Sequence, residues 1–163
     1  QLDSKFDRYM RGDNAALNKN EKTGFNLFAG KAKCATCHYI PLFNGLVPPE
    51  FVETESEVLG VPASASKKNT QLSDDEGKYI VTRSAVHKHA FKTPTLRNIS
   101  FTAPYMHNGV YKTLNEVMDF YNKGGGAALG IAPGNQTLPS QPLDLSKKQI
   151  RNIILFLQTL NDL

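Results

Sequence analysis

The chain has 163 residues, of which 40% are hydrophobic and 21% charged, and a formal net charge of +4. A chain this long buries roughly 70% of its unfolded surface and builds a core without staples, and no apolar run approaches the ~18 residues of a membrane span. Its lysines are scattered rather than blocked together, which argues against a nucleic-acid patch and favours, at most, acidic docking partners.

The first residue is Gln1, and nothing near it has the basic start and apolar middle of a signal peptide. The expectation is a chain whose leader has been removed, or one cut from something longer. The first clear element is EKTGFNLFAG, Glu21 to Gly30. It sets Phe25, Leu27 and Phe28 near one side of a short helix, with Gly30 as its stop. KCATCHYIPLFNG follows at once and holds both cysteines of the chain, Cys34 and Cys37, with His38 directly after the second. From Pro41 to Ser73 the pattern is loop, as in LVPPE and VPASASKKN. A loop that long in a small domain needs something to wrap around, and a bulky prosthetic group would serve.

Two helices are announced more firmly. In TLNEVMDFYNKGGG, Thr113 and Glu116 have capping-box spacing, the glycines from Gly124 end the element, and Leu114, Val117, Met118 and Tyr121 share a face. In LSKKQIRNIILFLQTL, Ser146 and Gln149 repeat the box, and Ile150, Ile153, Ile154, Leu157 and Leu160 form the apolar stripe. No convincing strand pattern is visible. The fold expected is mostly α with long loops.

The cysteine pair has four readings. A disulfide between residues two apart is cramped and staples almost nothing. A thioredoxin-like pair wants a βαβ context that is missing. A structural zinc needs four ligands, and the remaining histidines (His87, His89 and His107) lack the usual spacing. Covalent haem attachment, C-x-x-C-H, accounts for every position: each thiol adds across one vinyl group, and the adjacent imidazole sits under the iron. Zinc and a redox pair stay open as the lesser alternatives.

Together with GFNLFAGKAKCATCHYIPLFNG and LSKKQIRNIILFLQTLN, the segment FKTPTLRNISFTAPYMHNGVYKTLNEVMDFYNKGG resembles the C-terminal haem domain of bacterial di-haem cytochrome c peroxidases and their methylamine-utilisation (MauG) relatives. The resemblance runs from Gly24 to Asn161. It implies a class-I-like cytochrome c domain, with a core from about residue 20 to 162, whose long loops surround one covalently bound haem c. It also implies a partner domain in which a second haem reacts with hydrogen peroxide or oxidises a protein substrate, and a small redox protein as electron donor. This chain departs from the pattern: it has one C-x-x-C-H and no Trp, so the peroxide-reacting domain and the inter-haem tryptophan are not within it. The reading is an electron-transfer half of an oxidoreductase, or alternatively a free-standing mono-haem carrier without catalysis. Haem attachment of this kind places the protein in a Gram-negative periplasm or on its membrane surface.

For the sixth iron ligand Met106, Met118 and Tyr121 compete. In the peroxidases the ligand is a methionine on the helix after the PY-x-H-x-G turn, at a position that here is Tyr121; the MauG type is similar to this chain there, with a tyrosine. An anionic phenolate favours Fe(III) and lowers the potential, whereas a thioether raises it. Arg97 is expected to neutralise a haem propionate, with a surface salt bridge as the competing reading. Phe91, Pro94 and Leu96 are expected to line the crevice. His107 is either a locally bonded turn residue or has an electron-transfer or interdomain role, and His87 and His89 are read as exposed loop residues. The resemblance further implies Ca²⁺ held by backbone carbonyls, here those of Thr102 and Pro104, with partial or no occupancy in an isolated domain.

Overall fold

The computed structural model describes residues 3–66 and 68–162. It is mostly helical with few strands: α1 spans Lys5–Met10, α2 Lys19–Ala29, α3 Tyr79–Thr82, α4 Leu114–Lys123 and α5 Lys147–Gln158. Loops and short 3-10 turns join them, and two two-residue strands, β1 (Ser56–Glu57) and β2 (Phe91–Lys92), pair antiparallel. The strand pair is an addition to the sequence reading; two residues are too few to show an alternating pattern. No helix among the described residues is long and apolar enough to cross a membrane.

Four helices start alike. Ser4, Asn18, Thr113 and Ser146 each accept from the backbone N–H three residues on, while Asp7, Glu21, Glu116 and Gln149 bond back to the cap. Each box satisfies donors that the first turn leaves without partners. Both boxes expected at α4 and α5 are present, and α2 starts two residues before the expected Glu21. Gly124 ends α4 in the left-handed conformation, with φ of 100°. Gly30 stops α2 as expected, with φ of −100° and its N–H on the Asn26 carbonyl, while the left-handed conformation comes three residues later at Lys33.

The core lies where α2 crosses α5. A β-carbon on Gly24 would fall 1.9 Å from the carbonyl oxygen of Asn152 and 2.8 Å from Cβ of Phe156, so only glycine allows the two backbones this close. Around the crossing Phe6, Phe25, Phe28, Phe43 and Phe156 meet mostly edge-to-face or tilted, at centroid distances of 5.1–5.9 Å. Such pairs add to the area they bury. Ile153, Leu157 and Leu160 join this cluster from the expected stripe, and Met118 joins it from α4. Phe156 and Phe120, which the helical-face readings left out, are also buried. Residues 41–66 and 68–73 are mostly the expected loop, interrupted by β1 and pinned by single bridges between Tyr39 and Asn44, Leu46 and Thr54, and Pro62 and Leu72.

Candidate haem-tethering site

The CATCH motif follows α2 without a break, and Cys34–Thr36 form one 3-10 turn. Both cysteines are free thiols. Burial pushes Cys34 up to about 12 and Cys37 up to about 11, the latter with help from the Glu57 charge. They are therefore protonated at neutral pH, unlike the activated thiolate of a redox pair. Sγ of Cys37 lies 3.7 Å from Oε1 of Glu57, and Sγ of Cys34 lies 3.6 Å from the carbonyl of Ala32.

The next residue is the most constrained of the three. Nδ1 of His38 lies 3.1 Å from the carbonyl oxygens of both Phe43 and Pro94. Two acceptors there fix the hydrogen on Nδ1 and leave Nε2 with its lone pair, the tautomer and orientation a metal-bound imidazole needs. Burial lowers the His38 pKa, against the two carbonyls and Glu57, which raise it; the ring is neutral near pH 7.

The segment 94–97 organises this side. Thr95 Oγ1 donates to the carbonyl of Leu42 (2.7 Å), the Leu96 N–H to that of Phe43 (3.0 Å), and Arg97 Nε and Nη2 both to that of Pro41 (3.2 and 2.8 Å). Three successive carbonyls of the loop after His38 are thus held by three successive residues. The carbonyls of Phe43 and Pro94, which the sequence reading did not pick out, are its chief omission. A backbone acceptor leaves no residue-type signal; the only pointer was Pro94 itself, read as crevice lining.

Arg97 is bonded on every side. Its Nη1 and Nη2 donate at 2.8 Å each to the two carboxylate oxygens of Asp7, and both side chains are buried. Nε and Nη2 also donate to the carbonyl of Pro41, so the guanidinium ties α1 to the loop after His38. The pair is not a surface salt bridge. Burial alone would raise the Asp7 carboxyl, but hydrogen bonds from Arg97 and Ser4, with the Arg97 charge, hold it at about 2.

Tyr121 projects from the third turn of α4. Burial pushes its phenol well above the usual range, and its ring meets that of Phe120 edge-on, centroids 5.7 Å apart. Met118 is 5% exposed within the phenylalanine cluster, and Met106 sits half-buried in a turn with φ of 69°. Phe91 is not stacked on this site: it lies parallel to His107, centroids 3.6 Å apart. His107 Nε2 is 3.1 Å from Ser73 Oγ, and burial lowers its pKa. His87 and His89 are half-buried rather than exposed; their Nδ1 atoms lie 2.9 Å from Thr82 Oγ1 and 2.8 Å from the Asp75 carbonyl. Thr102 and Pro104 are exposed.

The donor set fits a covalently tethered haem: two protonated thiols one turn apart, and a neutral imidazole fixed with Nε2 free. It does not fit zinc. Among the described residues the one grouping of three such ligand atoms within 4.8 Å is Cys37, Glu55 and Glu57, which leaves out His38.

This combination of a helical domain with a CATCH turn and an anchored imidazole is the frame of a c-type cytochrome domain. No protein-family model matches the chain. It is 34% identical over 167 residues to the cytochrome-c peroxidase IdrP2 of Denitromonas iodatirespirans, covering 95% of this chain and 43% of that protein. It is 32% identical over 155 residues to the methylamine utilization protein MauG of Methylorubrum extorquens, covering 95% and 38%. Among solved structures, a MauG-like protein associated with microbial copper homeostasis superposes with a TM-score of 0.76 at 27% identity, covering 99% of this chain and 52% of that one. The chain belongs to the di-haem cytochrome c peroxidase and MauG family as a half-length, C-terminal-like domain. It spans less than half the length of these curated relatives.

Proposed function

We propose that this chain is the haem c electron-transfer domain of a di-haem oxidoreductase of the cytochrome c peroxidase and MauG type. The observation that carries the reading is His38, held at Nδ1 by two carbonyls with Nε2 free, directly after the thiols of Cys34 and Cys37. In this reading one haem is bound and supplies one-electron chemistry. Cys34 and Cys37 would tether it, and His38 and Tyr121 would be the side chains that hold its iron, with Met118 and Met106 left to packing. The MauG-type relatives that the chain matches over 95% of its length support that choice, since the resemblance puts a tyrosine at this position. A phenolate there holds the potential low, which suits exchange with a neighbouring haem rather than with ordinary high-potential carriers.

The partner haem, on a second domain of the full-length polypeptide, is where hydrogen peroxide or a protein substrate reacts; a small redox protein supplies or receives electrons. The exposed Thr102 and Pro104 offer hard carbonyl oxygens for a calcium shared with that domain. The enzyme works in a Gram-negative periplasm. The test is expression with the haem-attachment machinery: the mass should rise by one porphyrin, and the ferric spectrum should be that of haem c without a methionine ligand. Tyr121→Phe should raise the midpoint potential. A colourless protein of unmodified mass refutes the haem, and a wild-type potential several hundred millivolts positive refutes Tyr121.

A further inference from the structure

We infer that Asp7 and Arg97 are positioning residues for His38, acting from the first helix of the chain. The inference rests on the haem reading above. The observations form one chain of contacts. His38 Nδ1 depends on the carbonyls of Phe43 and Pro94. Those carbonyls are kept in place by the pairing of residues 41–43 with 95–97. The strongest link in that pairing is Arg97, which gives two bonds to Pro41 and lays its guanidinium 5.6 Å from the centre of the Phe43 ring.

Among the described residues Arg97 in turn has one charged partner. Asp7 receives Arg97 on both oxygens, and its Oδ2 also accepts from the backbone N–H and hydroxyl of Ser4, at 3.0 and 2.6 Å. The carboxylate thus closes the cap of α1 and fixes the guanidinium with the same atoms. Phe6 beside it donates its N–H to the carbonyl of Thr159 and packs against Phe43 at 5.1 Å. The clamp is therefore tied to the rigid helical core rather than to another loop. A planar, bidentate pair transmits that orientation in a way that a lysine could not.

The consequence reaches the iron ligand. A hydrogen bond at Nδ1 raises the basicity of a metal-bound imidazole and fixes its ring. Loosening the clamp weakens that bond, makes the imidazole a poorer donor to Fe(III), and moves the midpoint potential upward. Losing a direct outer partner typically costs about 10–100-fold, and through one intervening residue we expect about threefold in the reduction equilibrium.

The experiment compares haem-loaded wild type with Asp7→Asn, Thr95→Val and the double variant Asp7→Ala/Arg97→Met, by redox titration, ferric electron paramagnetic resonance and urea unfolding. Asp7→Asn should lose stability, shift the potential upward and broaden the ferric signal. The double variant leaves neither charge alone, so its stability should recover toward wild type, while its potential stays shifted because nothing donates to Pro41. Thr95→Val, which also removes the acceptor of the Arg97 N–H, should shift the potential less and lower stability only modestly. Should Asp7→Asn fail to fold, the other two variants carry the test. Potentials and ferric signals equal to wild type in both, or a double variant that recovers stability and potential together, overturn the inference. Wild type without haem overturns the underlying reading instead.

Discussion

Around α2 and α5 the chain is held by apolar area: five phenylalanines, Ile153, Leu157 and Leu160 close on a helix crossing that glycine makes possible. From His38 to Arg97 it is held by side chains bonded to backbone carbonyls, with little regular structure between. Of the five buried polar side-chain atoms that lack a partner among the described residues, none is on α2 or α5, and two (Glu55 Oε2 and Thr93 Oγ1) lie in this second region. Unpaired buried acceptors are costly and ask for a reason. The two regions therefore differ in kind: one is complete by itself, and the other is organised as a frame around an imidazole.

The contrast is broken most directly at Phe156, which is fully buried and touches four other rings in the crossing. Phe156→Ala should cost about 3–5 kcal/mol in urea unfolding. Thr95→Val in the loop frame removes two neutral hydrogen bonds, one to the Leu42 carbonyl and one from the Arg97 N–H, and should cost only about 1–2 kcal/mol. Equal losses at the two positions would mean that stability is not concentrated in the helices.

A second prediction tests the bridge between the regions. The Asp7 carboxyl is held at about 2, against an ordinary 3.8. A depressed carboxyl contributes stability that is fully present above the unfolded value and is lost as pH falls through the folded one. Between pH 5 and pH 2 the protein should lose on the order of 2 kcal/mol through this group. Asp7→Asn, already less stable at neutral pH, should lack that part of the acid slope. Parallel acid profiles for the two proteins would show that Asp7 is not depressed in the folded state.

The same division explains what could be read beforehand. Helix starts are local, so Thr113 with Glu116 and Ser146 with Gln149 were legible from spacing alone, as was the cysteine–cysteine–histidine turn. Phe156 and Phe120 fell outside single-face patterns because α5 and α4 are each covered on more than one side. The Asp7–Arg97 pair joins residues ninety positions apart, and no local pattern announces such a contact. Arg97 stood out for its chemistry, a bidentate guanidinium, but the carboxylate it meets in the fold, Asp7, could not be told from spacing. The anchors of His38 are main-chain oxygens, identical at every residue, and only the fold selects which two are used.

The smallest effect concerns the link between a cap and a ligand. Thr113 Oγ1 accepts from the Glu116 N–H at 3.3 Å, while a Glu116 oxygen takes the Thr113 N–H at 2.8 Å. Thr113→Ala should cost about 1 kcal/mol, the usual value of an N-cap. Tyr121 sits two turns further along α4, beyond the reach of fraying in the first turn, and Met118 between them is locked into the core. The haem-loaded variant should therefore melt earlier while keeping the ferric spectrum of wild type. If the spectrum changed with the cap, the phenol of Tyr121 would depend on the start of its helix rather than on the core beneath it, and α4 would belong with the loop frame.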